Sequence, residues 1–210
     1  MDGAGKGSIT TYIFEDVVSD HTIEAVFKKK PVQSFKDVPQ SYAFYNEIEW
    51  ASANKIVSGY DDGTFKPQGE CKRKQVVAFL WRLKNTPAPA SLAARFKDVN
   101  TKTNFYKAIY WASENNIVLG FGDGTFRPDD TCTRGQVVAF LWRLAGRPAP
   151  RTSAGKFSDV TSTNSFYKAI LWASENGIVK GYSDGTFKPD NTCTRGQIVT
   201  FIYRYVNLKE

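Results

Sequence analysis

Histidine is almost missing from this chain. Among 210 residues there is one, His21, which excludes a histidine-rich metal site and any catalytic centre that pairs two histidines. Cysteine is scarce as well. Three residues, odd in number and far apart in sequence, give neither a disulfide framework nor a CxxC zinc pattern. No apolar run approaches the roughly 18 residues that cross a bilayer. The Gly-rich, polar start Met1–Ser8 lacks the apolar stretch of a signal peptide, so the chain reads as cytosolic or as a mature or excised piece of a longer secreted protein. No carboxylate pair, Ser–His or Cys–His arrangement recurs, which makes an enzyme the weakest functional class and leaves no expected cofactor.

What is present points elsewhere. Hydrophobic residues at 41% and charged residues at 23% describe a globular chain. A net charge of +7 favours acidic partners: nucleic acid, a membrane surface or an anionic polymer. Aromatic content of 14% suits a core, and equally suits stacking on sugars or bases.

The chain repeats itself. Phe35, Phe96 and Phe157 each open an F-x-D-V motif, and one interval of 61 residues relates them. It also relates Trp50, Trp111 and Trp172, then Gly59, Gly120 and Gly181, then Cys71, Cys132 and Cys193, then Arg73, Arg134 and Arg195. Residues 96–146 and 157–207 align without a gap at 31 identical positions of 51, so the units are copies, each needing its neighbours to bury its apolar face. Proline-rich linkers at 84–89 and 146–150 punctuate them. Four divisions follow: a trailing hairpin of a truncated upstream domain at 1–34, and repeats at 35–90, 91–151 and 152–210. Within the first, 9–14 and 21–27 read as two strands. That segment holds four lysines against five acids, a net −1, so +8 of the overall +7 sits on the repeats.

The third unit shows the plan. Residues 166–176 have apolar side chains at 166, 170 and 173, one helical face, and Gly177 is placed to end that helix in a left-handed conformation. A short extended Ile178-Val179 follows, then an Asp-Gly turn at 184–185 before Pro189. Thr194, with Gln197 three residues on, is a capping box that starts a helix apolar around most of its circumference. Thr133 and Gln136 repeat the box. Lys72 replaces the threonine in unit one, so the cap is expected to be lost at about 1 kcal/mol.

These motifs, F-x-D-V, W-A-S, G-[YF]-x-D-G-T-F-x-P and the T-R helix start, resemble the S-layer homology domain in three tandem copies over Phe35–Leu208. The resemblance implies a mainly α fold: helix–loop–helix repeats in a pseudo-threefold spindle, with one helix per repeat in a central three-helix bundle. It implies non-covalent anchoring of a bacterial surface protein to a secondary cell-wall polysaccharide, often through a pyruvylated sugar held in grooves between repeats. The expected setting is therefore extracellular, with an upstream passenger domain, no membrane insertion and no nucleic acid. The chain departs from the family's usual T-R-A-E in carrying Gly-Gln after Thr-Arg, and unit one departs further, with Lys72-Arg73-Lys74. Phe121 stands where the other units have Tyr60 and Tyr182.

Twelve residues are candidates for glycan binding. Arg73, Arg134 and Arg195 lie in a first helical turn, where a cation is disfavoured. They read either as forks for a carboxylate, helped by exposed helix N–H groups, or as ion-pair partners of Asp37, Asp98 and Asp159. Those aspartates would alternatively accept from sugar hydroxyls or cap the following turn. Trp50, Trp111 and Trp172 fall beside the apolar face, where partly exposed indoles could stack on a pyranose ring or else join the core. Trp81 and Trp142 read as core. Gly59, Gly120 and Gly181 either let a ligand approach the backbone or supply positive φ. The Asp-Gly turns have too few oxygen ligands for calcium, and the cysteines read as small buried hydrophobes too far apart to bridge. Two other classes stay open: a protein–protein assembly module of a surface layer, and a nucleic-acid binder suggested by +8 with aromatics.

Overall fold

In the computed structural model, residues 33–153 and 155–208 are described, together with Ile13 and residues 18–20. The chain divides into two units, Met1–Val32 and Gln33–Glu210, and the second holds everything below. The strands expected over 9–14 and 21–27 lie, Ile13 apart, outside the described residues, as does His21.

Each repeat contributes a short and a long helix: α1 Tyr45–Ala53 and α2 Arg73–Leu83, α3 Tyr106–Glu114 and α4 Arg134–Leu144, α5 Tyr167–Glu175 and α6 Arg195–Val206. Among the described residues the fold is mainly α, with six helices and isolated bridges instead of a sheet. Of the short helices, α1 buries a narrow face, Tyr45, Ile48 and Ala51, while α3 and α5 bury a full turn, Ala108–Ala112 and Ala169–Ala173; each stops where the chain turns left-handed. The residues there are Lys55 at φ 58°, Asn116 at φ 54° and Gly177 at φ 68°. One position in three has the glycine that suits it.

The long helices start as the capping boxes require. Thr133 Oγ1 accepts from Gln136 N at 3.3 Å and Thr194 Oγ1 from Gln197 N at 3.4 Å, while each glutamine Oε1 accepts the cap N–H at 3.3 Å. At Lys72 half of the device survives. Gln75 Oε1 still accepts Lys72 N at 2.9 Å, but an ammonium has no lone pair to return, so Gln75 N turns to the Lys72 carbonyl at 2.9 Å.

The long helices pack chiefly on the short helices of neighbouring repeats. α2 packs on α3, α4 on α5 and α6 back on α1, with α4 also meeting α6. The contact runs from each repeat to the next and from the last to the first, so the second unit closes as a cyclic, pseudo-threefold arrangement. The long helices supply its centre: Val76, Val77 and Leu80, with Val137, Val138 and Leu141 and with Ile198, Val199 and Ile202, are each at most 1% exposed. Burying a side chain of this kind contributes roughly 1.5–3 kcal/mol, and no repeat can do it alone.

Just before these helices, three extended segments meet through the bridges Glu70 with Thr194, Lys72 with Thr131 and Thr133 with Thr192. Cys132 N donates to the Cys71 carbonyl at 2.9 Å and Cys193 N to the Cys132 carbonyl at 3.0 Å. The expectation of widely separated cysteines is therefore corrected: cyclic closure makes their backbones neighbours. All three are free and 0% exposed. Burial pushes the Cys71 and Cys132 thiols up to about 12, and the Cys193 thiol up as well, so they behave as the small hydrophobes expected of them.

Candidate functional site

The site begins with the Asp-Gly turn. Tyr182 N donates to the Thr186 carbonyl at 2.8 Å, and Asp184 accepts from both Thr186 N at 3.0 Å and its hydroxyl at 2.5 Å. Asp62 and Asp123 do the same with Thr64 and Thr125. The carboxylates of Asp62 and Asp184 are held down to about 2, chiefly by the threonine hydroxyls. These oxygens also pair with Lys66, Arg127 and Lys188, so turn chemistry accounts for them.

Asp37, Asp98 and Asp159 anchor the turn from 28 residues upstream. Asp37 accepts from Phe65 N and Lys66 N, both at 2.8 Å; Asp98 from Phe126 N and Arg127 N; Asp159 from Phe187 N and Lys188 N. Both carboxylate oxygens are thus engaged by backbone, which corrects the alternative in which they pair with the repeated arginines. The amides they hold belong in part to residues in an uncommon conformation. Lys66, Arg127 and Lys188 have φ of 56°, 58° and 57° although each precedes a proline, a position that favours extended backbone.

That kink aims carbonyls across the repeat junction. Arg195 N and Gly196 N donate to the Gly69 and Pro67 carbonyls at 3.0 and 2.9 Å; Arg134 N and Gly135 N donate to Asn191 and Pro189; Arg73 N and Lys74 N donate to Asp130 and Pro128. The helix N-termini expected to hold an anion are therefore already satisfied, and that part of the arginine reading is corrected.

The guanidinium groups follow their backbones. Arg195 Nε donates to the Phe65 carbonyl at 2.8 Å and Nη2 to Ser58 at 3.2 Å. Arg134 reaches Phe187 and Lys180 in the same way, and Arg73 reaches Phe126. Each also lies against rings: the Arg195 Cζ is 4.5 Å from the Phe65 centroid, 5.0 Å from Tyr60 and 5.5 Å from Phe79. Cation–π contact of about 0.5–2 kcal/mol each is the compensation for a cation in a first helical turn. The arginines are 3–4% exposed.

The glycines pack tightly. A Cβ on Gly59 would sit 2.6 Å from the Phe35 ring and from the Thr64 carbonyl, and one on Gly181 2.7 Å from the Thr186 carbonyl. Positive φ is confined to Gly120, at 70°, so the expectation of positive φ at all three is corrected: the F-x-D-V phenylalanine ring excludes a side chain.

Of the two readings of the repeated tryptophans, burial favours the core one for Trp111 and Trp172. Trp111 and Trp172 are 6% and 5% exposed, and Trp50 is half-buried with its ring edge-on to Tyr203 at 5.1 Å. The cyclic packing of short on long helices covers Trp111 and Trp172 and leaves Trp50 partly open. Trp81 and Trp142 are half-buried against the core, with Nε1 donating to Pro87 and Pro148 carbonyls at 2.8 Å.

Two equivalent clefts open at the junctions. One, of about 180 Å³, is lined by Arg134, Lys180, Gly181, Tyr182, Gln197, Phe201, Arg204 and, from the first repeat, Phe44. The other, of about 130 Å³, is lined by Arg195, Ser58, Gly59, Tyr60, Gln75, Phe79, Arg82 and, from the second repeat, Phe105. Stepping by the repeat interval converts one set into the other. The same step gives Arg73, Leu119, Gly120, Phe121, Gln136, Phe140, Arg143 and Phe166 at the junction of repeats 1 and 2. Each cleft draws on all three repeats, and neither of the two has an acidic lining residue. Of the predicted residues, the structure brings arginine and glycine together there and places the aspartates behind the turn and the tryptophans outside. Sequence reasoning missed Arg82, Arg143 and Arg204, although they obey the 61-residue interval.

The clefts also differ. A Cβ on Gly196 would meet the Phe44 ring at 3.0 Å, and one on Gly135 would overlap Phe166. Unit one has Lys74 at this position, and its Cβ denies Phe105 the same berth. Phe105 alone of the three takes φ 64°, against −114° at Phe44 and −100° at Phe166, and stands 36% exposed.

Among the described residues no helix is long and apolar enough to cross a membrane, and no group of three or more His, Cys, Asp or Glu could hold a metal ion. Comparison with known proteins matches the S-layer homology domain at residues 34–77, 95–138 and 156–199. The chain is similar to cell surface glycoprotein 1 of Acetivibrio thermocellus, 36% identical over 41% of this chain and 4% of that protein. It is also similar to the cellulosome-anchoring protein of that organism, 27% identical over 84% of this chain and 39% of the relative. An amylopullulanase of Thermoanaerobacterium thermosulfurigenes is 32% identical over 95% of this chain and 11% of the enzyme. The chain thus spans well under half the length of each.

Proposed function

Because the chain belongs to the S-layer homology domain family, we propose that it holds a larger surface protein on a bacterial cell wall by binding a secondary wall polysaccharide in the junction clefts. The observation that supports this most is the lining of the clefts. Each of the two sets basic side chains, Arg134, Lys180 and Arg204 or Arg195 and Arg82, beside an aromatic ring and a glutamine, with no acid among them. Cations without a carboxylate partner suit an acidic sugar substituent, and a ring face beside a polar amide suits a pyranose. At about 180 and 130 Å³ the clefts are smaller than the ~300–1,000 Å³ of ordinary small-molecule sites, and fit one sugar residue of a polymer. Similarity to proteins named for the cell surface and for anchoring supports an extracellular setting. The small share of each relative that is matched supports a passenger domain elsewhere in the full protein, any catalysis belonging to that domain. Arg73, Arg134, Arg195, Gly59, Gly120 and Gly181 remain proposed site residues as the floor of the clefts, with the half-buried Arg82, Arg143 and Arg204 added as the cations a glycan reaches.

Sedimentation with purified wall sacculi tests the reading. The chain pellets with intact sacculi and stays in solution once hydrofluoric acid has stripped their secondary polymers. Equal pelleting with stripped peptidoglycan would overturn it.

A further inference from the structure

The three junctions share one plan, and at one exposed position each carries a chemically different side chain. Immediately before the cleft glycine stands Ser58 in the first repeat, Leu119 in the second and Lys180 in the third. All three side chains face outward; Leu119 is 60% exposed, a large apolar residue left uncovered. The carbonyl of this position is held by the junction arginine in two of the clefts, Arg195 to Ser58 and Arg134 to Lys180, which sets its side chain at the cleft rim. The aromatic behind the glycine varies in step: tyrosine beside Ser58 and Lys180, phenylalanine beside Leu119.

We infer that the position occupied by Ser58, Leu119 and Lys180 sets which cleft takes an acidic sugar, and that the cleft with Lys180 is the principal one. This rests on the anchoring reading above and deepens it. Lys180 adds a third cation to Arg134 and Arg204. Ser58 leaves Arg195 and Arg82 with a small hydroxyl. Leu119 and Phe121 together remove one hydroxyl-bearing ring and add an apolar rim, so that junction disfavours a carboxylate and accepts a neutral or deoxy sugar face. A single added, solvent-facing cation changes affinity for a carboxylate by roughly two- to fivefold, which is enough to rank the sites.

The cleft glycines Gly59, Gly120 and Gly181 report one junction each, so a heteronuclear NMR titration resolves the three. The probe is a methyl hexoside bearing a 4,6-pyruvate ketal with a free carboxylate, run beside its neutral methyl ester. The expected order of half-saturation is Gly181 first, Gly59 next and Gly120 last, with the order collapsing for the ester. Lys180→Ser brings Gly181 to the Gly59 value, and Leu119→Lys moves Gly120 to lower probe concentration. Both positions are exposed, so the variants fold. Three glycines titrating together, or Gly120 leading, would overturn the ranking while leaving the clefts as binding sites. Silence at all three with the acid probe would overturn the cleft reading itself and the ranking with it.

Discussion

At the scale of single residues the repeats are a natural set of substitutions on one backbone. Lys72, where the other repeats have threonine, isolates the hydroxyl half of a capping box, since the glutamine half survives at 2.9 Å. Lys72→Thr is expected to raise stability by about 0.5–1 kcal/mol, read as a shift of the denaturant midpoint at constant slope. The ion pair it gives up, Lys72 to Asp129 at 3.0 Å, joins exposed groups and contributes little. Acid acts through the turns. Asp62 and Asp184 lie below their ordinary 3.8, at about 2, because threonine hydroxyls and amides bond the charged form. Protons therefore favour the unfolded chain: the contribution is whole above pH 4 and is lost as pH falls towards 2. Thermal midpoints should drop across that window, and Asp62→Asn with Asp184→Asn should flatten the slope; an unchanged slope would contradict the assignment.

At the scale of elements, much was legible and its limits are specific. Thr133-Gln136 and Thr194-Gln197 announced α4 and α6 because a capping box is a local device, and Gly177 announced the end of α5. Asn116 carries a weaker form of that signal, since asparagine tolerates the left-handed region, and Lys55 at φ 58° carries none. The tryptophans stayed open between stacking and core because periodicity within one helix cannot say that a different repeat covers the neighbouring face. The arginines were half legible: a cation in a first helical turn demanded an explanation, but the carbonyls and rings that provide it lie 46 to 137 residues away. The aspartates pair with amides 28 residues downstream, beyond the reach of local turn rules. Gly181→Ala tests the tight packing that results. Its Cβ would overlap the Phe157 ring and the Thr186 carbonyl, and a loss of about 1–3 kcal/mol is expected; a neutral result would mean the turn moves freely.

At the scale of the whole unit, cyclic closure is the organising fact. α6 packs on α1, and Arg195 reaches back to Phe65 and Ser58, so the third repeat completes the first. Removing residues 152–210 takes away the partner of α1 and one wall of the cleft at Tyr60. The truncated chain should lose cooperative unfolding instead of retaining two-thirds of its stability, as an open array of independent repeats would. Closure also explains why the clefts exist, since each needs residues from all three repeats. On the proposed reading it brings the two clefts and their third equivalent onto one closed unit, so that a polymer with repeated epitopes gains avidity where its spacing permits.

The central claim is that these clefts hold the acidic substituent of a wall polysaccharide. The most direct test is calorimetric titration of the chain with purified secondary wall polymer, before and after mild acid removal of ketal-linked pyruvate, with Arg204→Gln run alongside as a substitution at the cleft that spares the buried arginines. The account predicts binding to the native polymer that is lost on removing the ketal and weakened by the substitution. Undiminished binding to the deketalised polymer by both proteins would contradict it.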